Sequence, residues 1–157
     1  MQKKSKIIYL LISILFFILC DVFLTESIIK NGYLVGENPI FDITFAENLG
    51  AAFNILSGFK GFLITFSCLA LTAIIFYTIK HIEKFSVFTL FFTSMLTAGI
   101  FTNMYERIVF GFVRDFIKLN FIDFPIFNLS DIFINIGVVS LIFIILKRSY
   151  QKRVNKN

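Results

Sequence analysis

The chain has 157 residues, of which 57% are hydrophobic and only 16% are charged. Ordinary soluble domains carry fewer apolar and more charged residues, and this length suits one domain. The two cysteines lie inside apolar runs, which excludes a disulfide-stapled scaffold, and neither has a metal-ligand neighbour. The one histidine, His81, lies in a short polar turn, so neither a zinc site nor a Ser-His triad is expected. The net charge of +5 is spread over several segments, so nucleic acid is not an expected partner.

Four apolar runs approach the length of about 20 residues that a helix needs to cross a bilayer. They predict an all-α membrane protein, a single integral membrane domain of residues 1–157, with helices at about 7–29, 62–79, 85–105 and 129–146. A short polar turn at 80–84 joins the second and third runs, which makes them antiparallel neighbours.

Basic residues mark one side of this bundle. Ten of the 15 lysines and arginines lie before the first run, in the 80–84 turn or after the last run, and only Glu83 accompanies them. By the positive-inside rule, both termini are cytoplasmic and the two long connections lie outside the cytoplasm.

The two long connections also contain strand-like patterns. Large apolar residues alternate with smaller or polar ones in 41–46 and again in 117–121. A period of two is typical of half-buried strands. We therefore expect a small extracytoplasmic β-platform beside the four helices.

Ionisable side chains within or beside the apolar runs are candidates for function, because each costs on the order of 3 kcal/mol in hydrocarbon. Five residues qualify: Asp21, Glu106, Arg107, Asp115 and Asp131. Helical spacing puts Asn103, Glu106 and Arg107 on one face, where Glu106 beside Arg107 could be only a structural ion pair.

Asp115 and Asp131 could converge at the outer surface although sixteen residues separate them. Two carboxyl groups about 3 Å apart share one proton and so offer an acid and a base together, as in aspartic proteases. The helix dipole would favour the charged form of Asp131, which makes it the expected base. Helix capping or an ion pair is the alternative for either residue.

Residues 48–53, Asn-Leu-Gly-Ala-Ala-Phe, combine an amide with three small side chains. Small residues let another backbone approach closely, and the Asn48 amide can both donate to and accept from a peptide group. A tight turn with helix-packing alanines explains the pattern equally well.

Taken in order, these motifs resemble those of the lipoprotein signal peptidases, or signal peptidase II, bacterial aspartic peptidases with four membrane helices. Asp21 is similar to the family's first-helix aspartate, and residues 48–53 to its N-x-G-A-A-F segment. Residues 103–107 resemble G-N-x-x-D-R without the leading glycine, 111–116 resemble G-x-V-x-D-F, and 127–131 resemble F-N-x-A-D. The resemblance covers nearly the whole chain.

The resemblance implies an endopeptidase in the bacterial cytoplasmic membrane, with its active site near the outer leaflet. Its substrate would be a diacylglyceryl-modified prolipoprotein, cleaved on the amino side of the lipidated cysteine. Membrane lipids would be its other partners, and neither a cofactor nor a metal is expected. The implied catalytic residues are Asp115 and Asp131; the implied substrate-binding residues are Asn48, Gly50, Ala51, Asn103, Arg107 and Asn128; Asp21 and Glu106 would be supporting residues.

Four residues depart from the family pattern. Glu106 replaces Asp, Thr102 replaces Gly, Thr25 stands where a lysine is expected, and Glu47 replaces a basic residue. None of these changes touches the two aspartates. Two other functions compete with the enzyme: an inactive relative that binds lipoprotein precursors, and a four-helix transport or assembly protein.

Overall fold

The computed structural model describes residues 1–31, 39–51 and 55–155. It contains the helices α1 (Lys3–Asn31), α2 (Lys60–His81), α3 (Val87–Val109) and α4 (Leu129–Val154), and the strands β1 (Phe41–Asn48) and β2 (Val113–Leu119). All four helices are long and apolar enough to cross a membrane. The predicted class, a four-helix membrane protein with a small sheet, is confirmed.

The helices differ from the predicted spans mainly at their ends. Helix α1 begins four residues before residue 7, and α4 continues to Val154 rather than ending at 146. Hydropathy marks only the part of a helix that suits hydrocarbon, whereas long basic side chains continue the helix into the interface. Helix α3 begins at Val87, later than predicted, because Ser86 caps it by accepting from the Thr89 N–H at 3.1 Å.

Helix α3 forms the centre of the bundle. In the most apolar stretch of α3, 56% of the residues are buried, compared with 17% in the corresponding stretch of each of the other three helices. It packs closely against α4 at two glycines: a Cβ at Gly99 would lie 2.5 Å from the Ser130 carbonyl oxygen, and one at Gly137 would lie 2.9 Å from Leu96 Cβ. The backbones of α3 and α4 therefore approach each other more closely than any other side chain would allow.

Lys6 fastens α1 to the turn between α2 and α3. Its Nζ donates to the carbonyl oxygens of Ile82, Glu83 and Phe85 at 3.2, 2.8 and 2.6 Å. Carbonyl groups at a helix end have no partner within the helix, so a cation there satisfies them. Together with the apolar cluster of Leu10, Ile82 and Leu90, these hydrogen bonds join α1 to the other helices at the end of the bundle opposite the sheet.

The two long connections supply the two strands, which pair antiparallel. Ala46 lies opposite Asp115 and Asn48 lies opposite Val113, with an irregularity between Ile43 and Ala46. This register brings the last residue of β1 next to the aspartate of β2.

Candidate active site

Asp115 lies in the middle of β2, and only 1% of its surface is exposed. Asn48, at the end of β1, donates from Nδ2 to Asp115 Oδ2 at 2.9 Å. The other oxygen, Oδ1, is buried and has no hydrogen-bond partner within the described part of the chain. One side of the carboxyl group is thus fixed, and the other is free to bind a reacting group.

Burial raises the pKa of Asp115 to about 7, and repulsion by the Asp131 carboxylate adds to that effect. The Asn48 hydrogen bond and the positive charge of Arg107 act in the opposite direction without cancelling it. A carboxyl group with such a pKa holds a proton near neutral pH and can act as an acid.

Asp131 lies in the first turn of α4, where it forms a capping box with Asn128. Asp131 Oδ2 accepts from the Asn128 N–H at 3.2 Å, and Asn128 Oδ1 accepts from the Asp131 N–H at 2.9 Å. Asn103 of α3 donates to Asp131 Oδ1 at 2.8 Å and accepts from the Asn128 amide at 3.0 Å. Both oxygens of Asp131 therefore accept hydrogen bonds, as a carboxylate does.

Arg107 connects the two halves of the site. It donates to the Asn103 carbonyl oxygen at 3.0 Å and to the Gly50 carbonyl oxygen at 2.5 Å. The Gly50 N–H in turn donates to Asn48 Oδ1 at 3.0 Å. An unbroken chain of contacts thus joins the two aspartates, and the sequence singled out every member: Asp115, Asn48, Gly50, Arg107, Asn103 and Asp131.

Ala51 directly follows Gly50, the member of this chain of contacts that accepts from Arg107. The residue is half-buried, and its N–H donates to the Ile55 carbonyl oxygen at 2.7 Å. The last two residues of the same motif, Ala52 and Phe53, lie outside the described residues.

Asp21 of α1 is buried but does not belong to the chain between the aspartates. It interacts with the side chain and backbone of Ser130, whose hydroxyl also hydrogen-bonds that of Thr102. Ser130 stands at the alanine of the F-N-x-A-D pattern, a fifth departure, and the structure brings it into contact with Thr102, which stands at a glycine. Sequence reasoning treated Thr102 alone and missed its partner.

Glu106 forms a structural ion pair, but its partner is Arg114 and not Arg107. Adjacent residues on a helix point in directions about 100° apart, so Arg107 reaches Gly50 whereas Glu106 reaches the next strand. There Glu106 forms its ion pair with Arg114 at 2.6 Å. The sequence did not point to Arg114, although its position directly before Asp115 was a signal that could have done so.

Four helices long and apolar enough to cross a membrane, together with a two-stranded sheet, bring the carboxyl groups of Asp115 in β2 and Asp131 in α4 into one polar network. Among the described residues, no group of three His, Cys, Asp or Glu side chains is placed to hold a metal ion.

Comparison with known proteins identifies the family. Residues 11–147 match the family of signal peptidase (SPase) II, and the chain belongs to it. The chain is 36% identical to a lipoprotein signal peptidase of Staphylococcus haemolyticus (strain JCSC1435) over 160 residues, which cover 97% of this chain and 99% of that relative. It is 40% identical to a lipoprotein signal peptidase of Caldicellulosiruptor bescii over 111 residues, 69% of each chain.

A solved structure supports the same assignment. A bacterial membrane enzyme, determined by the in meso method, superimposes with a TM-score of 0.78 at 29% identity, over 95% of this chain and 92% of the other. The chain is accordingly a multi-pass bacterial membrane protein of a peptidase family.

Proposed function

We propose that the protein is an aspartic endopeptidase that removes the signal peptide from diacylglyceryl-modified prolipoproteins, on the amino side of the lipidated cysteine. Membership of the signal peptidase II family supports the removal of signal peptides from lipoprotein precursors. The observation that carries the aspartic mechanism is the chain of contacts joining Asp115 to Asp131.

Asp131 acts as the base in the proposed reaction. Its two oxygens already accept from Asn103 and Asn128, which orient the carboxylate toward a water molecule. The carboxylate removes a proton from this water, and the oxygen attacks the scissile carbonyl carbon. Protonated Asp115 donates to the carbonyl oxygen and stabilises the negative charge that develops there.

The tetrahedral intermediate then collapses. The C–N bond breaks, and the leaving amine takes the proton that Asp131 received from water. Asp115 recovers its own proton as the new carboxyl group forms. One water molecule is consumed, one peptide bond is broken, and the two aspartates return to their starting state without a metal ion.

The membrane supplies much of the orientation in this proposal. The distribution of basic residues supports cytoplasmic termini by the positive-inside rule, and with them a sheet and two aspartates near the outer leaflet of the cytoplasmic membrane. A diacylglyceryl group buried in that leaflet holds the scissile bond at a defined depth, which lowers the entropic cost of bringing it to the aspartates.

The test is cleavage of a purified diacylglyceryl-modified prolipoprotein, followed by mass measurement of the products. The wild-type protein should release the signal peptide in the presence of a chelator, whereas Asp115→Asn and Asp131→Asn should not. Asp123→Asn is the matched control, because Asp123 is an exposed aspartate in the connection between β2 and α4.

Three results would overturn the proposal. Unreduced turnover by Asp115→Asn or Asp131→Asn would refute the aspartic mechanism. Complete inhibition by the chelator would contradict a reaction without metal. Precursor that binds to the wild-type protein but is never cut would support the inactive relative instead.

A further inference from the structure

Arg114 occupies the strand position directly before Asp115. Consecutive side chains of a strand point to opposite faces, so Arg114 holds the reverse side of the segment that presents the aspartate. Only 12% of the Arg114 side chain is exposed. A guanidinium group buried to that extent needs partners.

Helix α3 provides the main partner of Arg114. Glu106 Oε1 accepts from Arg114 Nε at 2.8 Å and from Nη2 at 2.6 Å. Glu106 Oε2 accepts from the backbone N–H of Arg114 at 2.7 Å. One carboxylate thus grips both the side chain and the main chain of β2, immediately before the peptide unit of Asp115.

A second helix and an aromatic ring complete this arrangement. Arg114 Nη1 donates to Glu26 of α1 at 2.9 Å, and its guanidinium carbon lies 4.2 Å from the centre of the Phe110 ring. Because Glu106 and Glu26 belong to different helices, the position of β2 is fixed relative to α3 and α1 at the same time.

We propose that Arg114 is a positioning residue for Asp115, which it holds in place by binding β2 to Glu106 and Glu26. This inference rests on the proposed function, because it assigns Asp115 to catalysis. A strand in a two-stranded sheet is only marginally stable by itself, so contacts to the helices must set its position. Displacement of a reacting group by about 1 Å can cost a hundredfold in rate.

The arrangement also has an electrostatic consequence. The charged groups that act on Asp115 are Asp131 from α4 and Arg107 and Glu106 from α3, while Glu47 of β1 is exposed and lies opposite Arg114 in the sheet. Arg114 balances the negative charge of Glu106. Removing Arg114 leaves that charge uncompensated and raises the pKa of Asp115, whereas removing the charge of Glu106 lowers it.

The experiment compares Arg114→Met, Arg114→Lys and Glu106→Gln with the wild type in the prolipoprotein cleavage assay. Arg114→Met should lower kcat by about tenfold to a hundredfold and change KM by less than about twofold. In a plot of kcat/KM against pH, the alkaline limb of Arg114→Met should move to higher pH, and the alkaline limb of Glu106→Gln should move to lower pH. Arg114→Lys keeps the positive charge but lacks the planar guanidinium that binds Glu106 through two nitrogens. The alkaline limb should therefore return to its wild-type position, while kcat should recover only in part.

Hydrogen exchange tests the same inference without any substrate. Amides of residues 113–117 should exchange faster in Arg114→Met than in the wild type. The control Lys118→Met removes an exposed cation from the same strand and should leave both exchange and kcat unchanged.

Each outcome separates this inference from the proposed function. Equal exchange in Arg114→Met and the wild type, or limbs that move in the same direction in both charge variants, would overturn the positioning role. A wild-type protein that cleaves no precursor would instead refute the proposed function and would leave the exchange result to decide the role of Arg114.

Discussion

Asn103 links the side chain of Asp131 directly to α3. Its amide donates to Asp131 Oδ1 at 2.8 Å and accepts from Asn128 at 3.0 Å. Asn103→Ala removes both hydrogen bonds. A bond to a charged group contributes about 1.5–3 kcal/mol and a neutral one about 1 kcal/mol, so together they hold about 2.5–4 kcal/mol.

If both bonds act in the transition state, this energy corresponds to a loss of about 10²- to 10³-fold in kcat, since 1.36 kcal/mol is tenfold in rate. The assay is turnover of a lipidated prolipoprotein, with the melting temperature measured in the same detergent. Thr97→Ala is the control, because it removes a buried hydroxyl of α3 that donates to the Thr93 carbonyl oxygen within the same helix. A loss of less than about threefold for Asn103→Ala, with unchanged melting, would refute the reasoning.

Three further predictions follow from other contacts. In the proposed mechanism the acid form of Asp115 is the active one, and its pKa in the free protein is about 7, so kcat/KM should fall by about tenfold per pH unit above that value; a rise would contradict the assignment. Lys6→Met loses three hydrogen bonds and should lower the free energy of unfolding by about 1–3 kcal/mol in thermal melts, whereas exposed Lys4→Met should not. Gly99→Ala places a Cβ 2.5 Å from a backbone oxygen of α4, so both melting temperature and kcat should fall; Gly61→Ala, with no atom within 4 Å, is its control.

The fold was predictable because its strongest signals are local. Uncharged runs indicate helices in hydrocarbon, and the period of two in residues 41–46 indicates a strand, which the structure places within β1. The alternating pattern at 117–121 predicted its partner, and the structure has that strand four residues earlier at its start, as β2 (Val113–Leu119). The order of these patterns along the chain was enough for the four-helix class.

Partners within the site were less predictable, because they depend on directions that a linear pattern does not contain. Glu106 and Arg107 are neighbours in sequence, yet they leave α3 toward different elements. Thr102 and Ser130 are 28 positions apart and meet only because Gly99 lets α3 and α4 approach. To predict this contact, one would need the distance between the axes of α3 and α4, which local sequence patterns do not give.

The two aspartates belong to different kinds of structural element. Asp131 is part of a helix that packs tightly on the centre of the bundle, whereas Asp115 is carried by a ribbon of two strands. A substitution that loosens the two-stranded sheet would leave the helices inserted in the membrane and resistant to heat, but it would abolish the proposed peptidase activity. The thermal stability of the helical bundle is therefore a poor measure of activity for this protein, and screens that select variants by thermal stability alone would retain inactive variants.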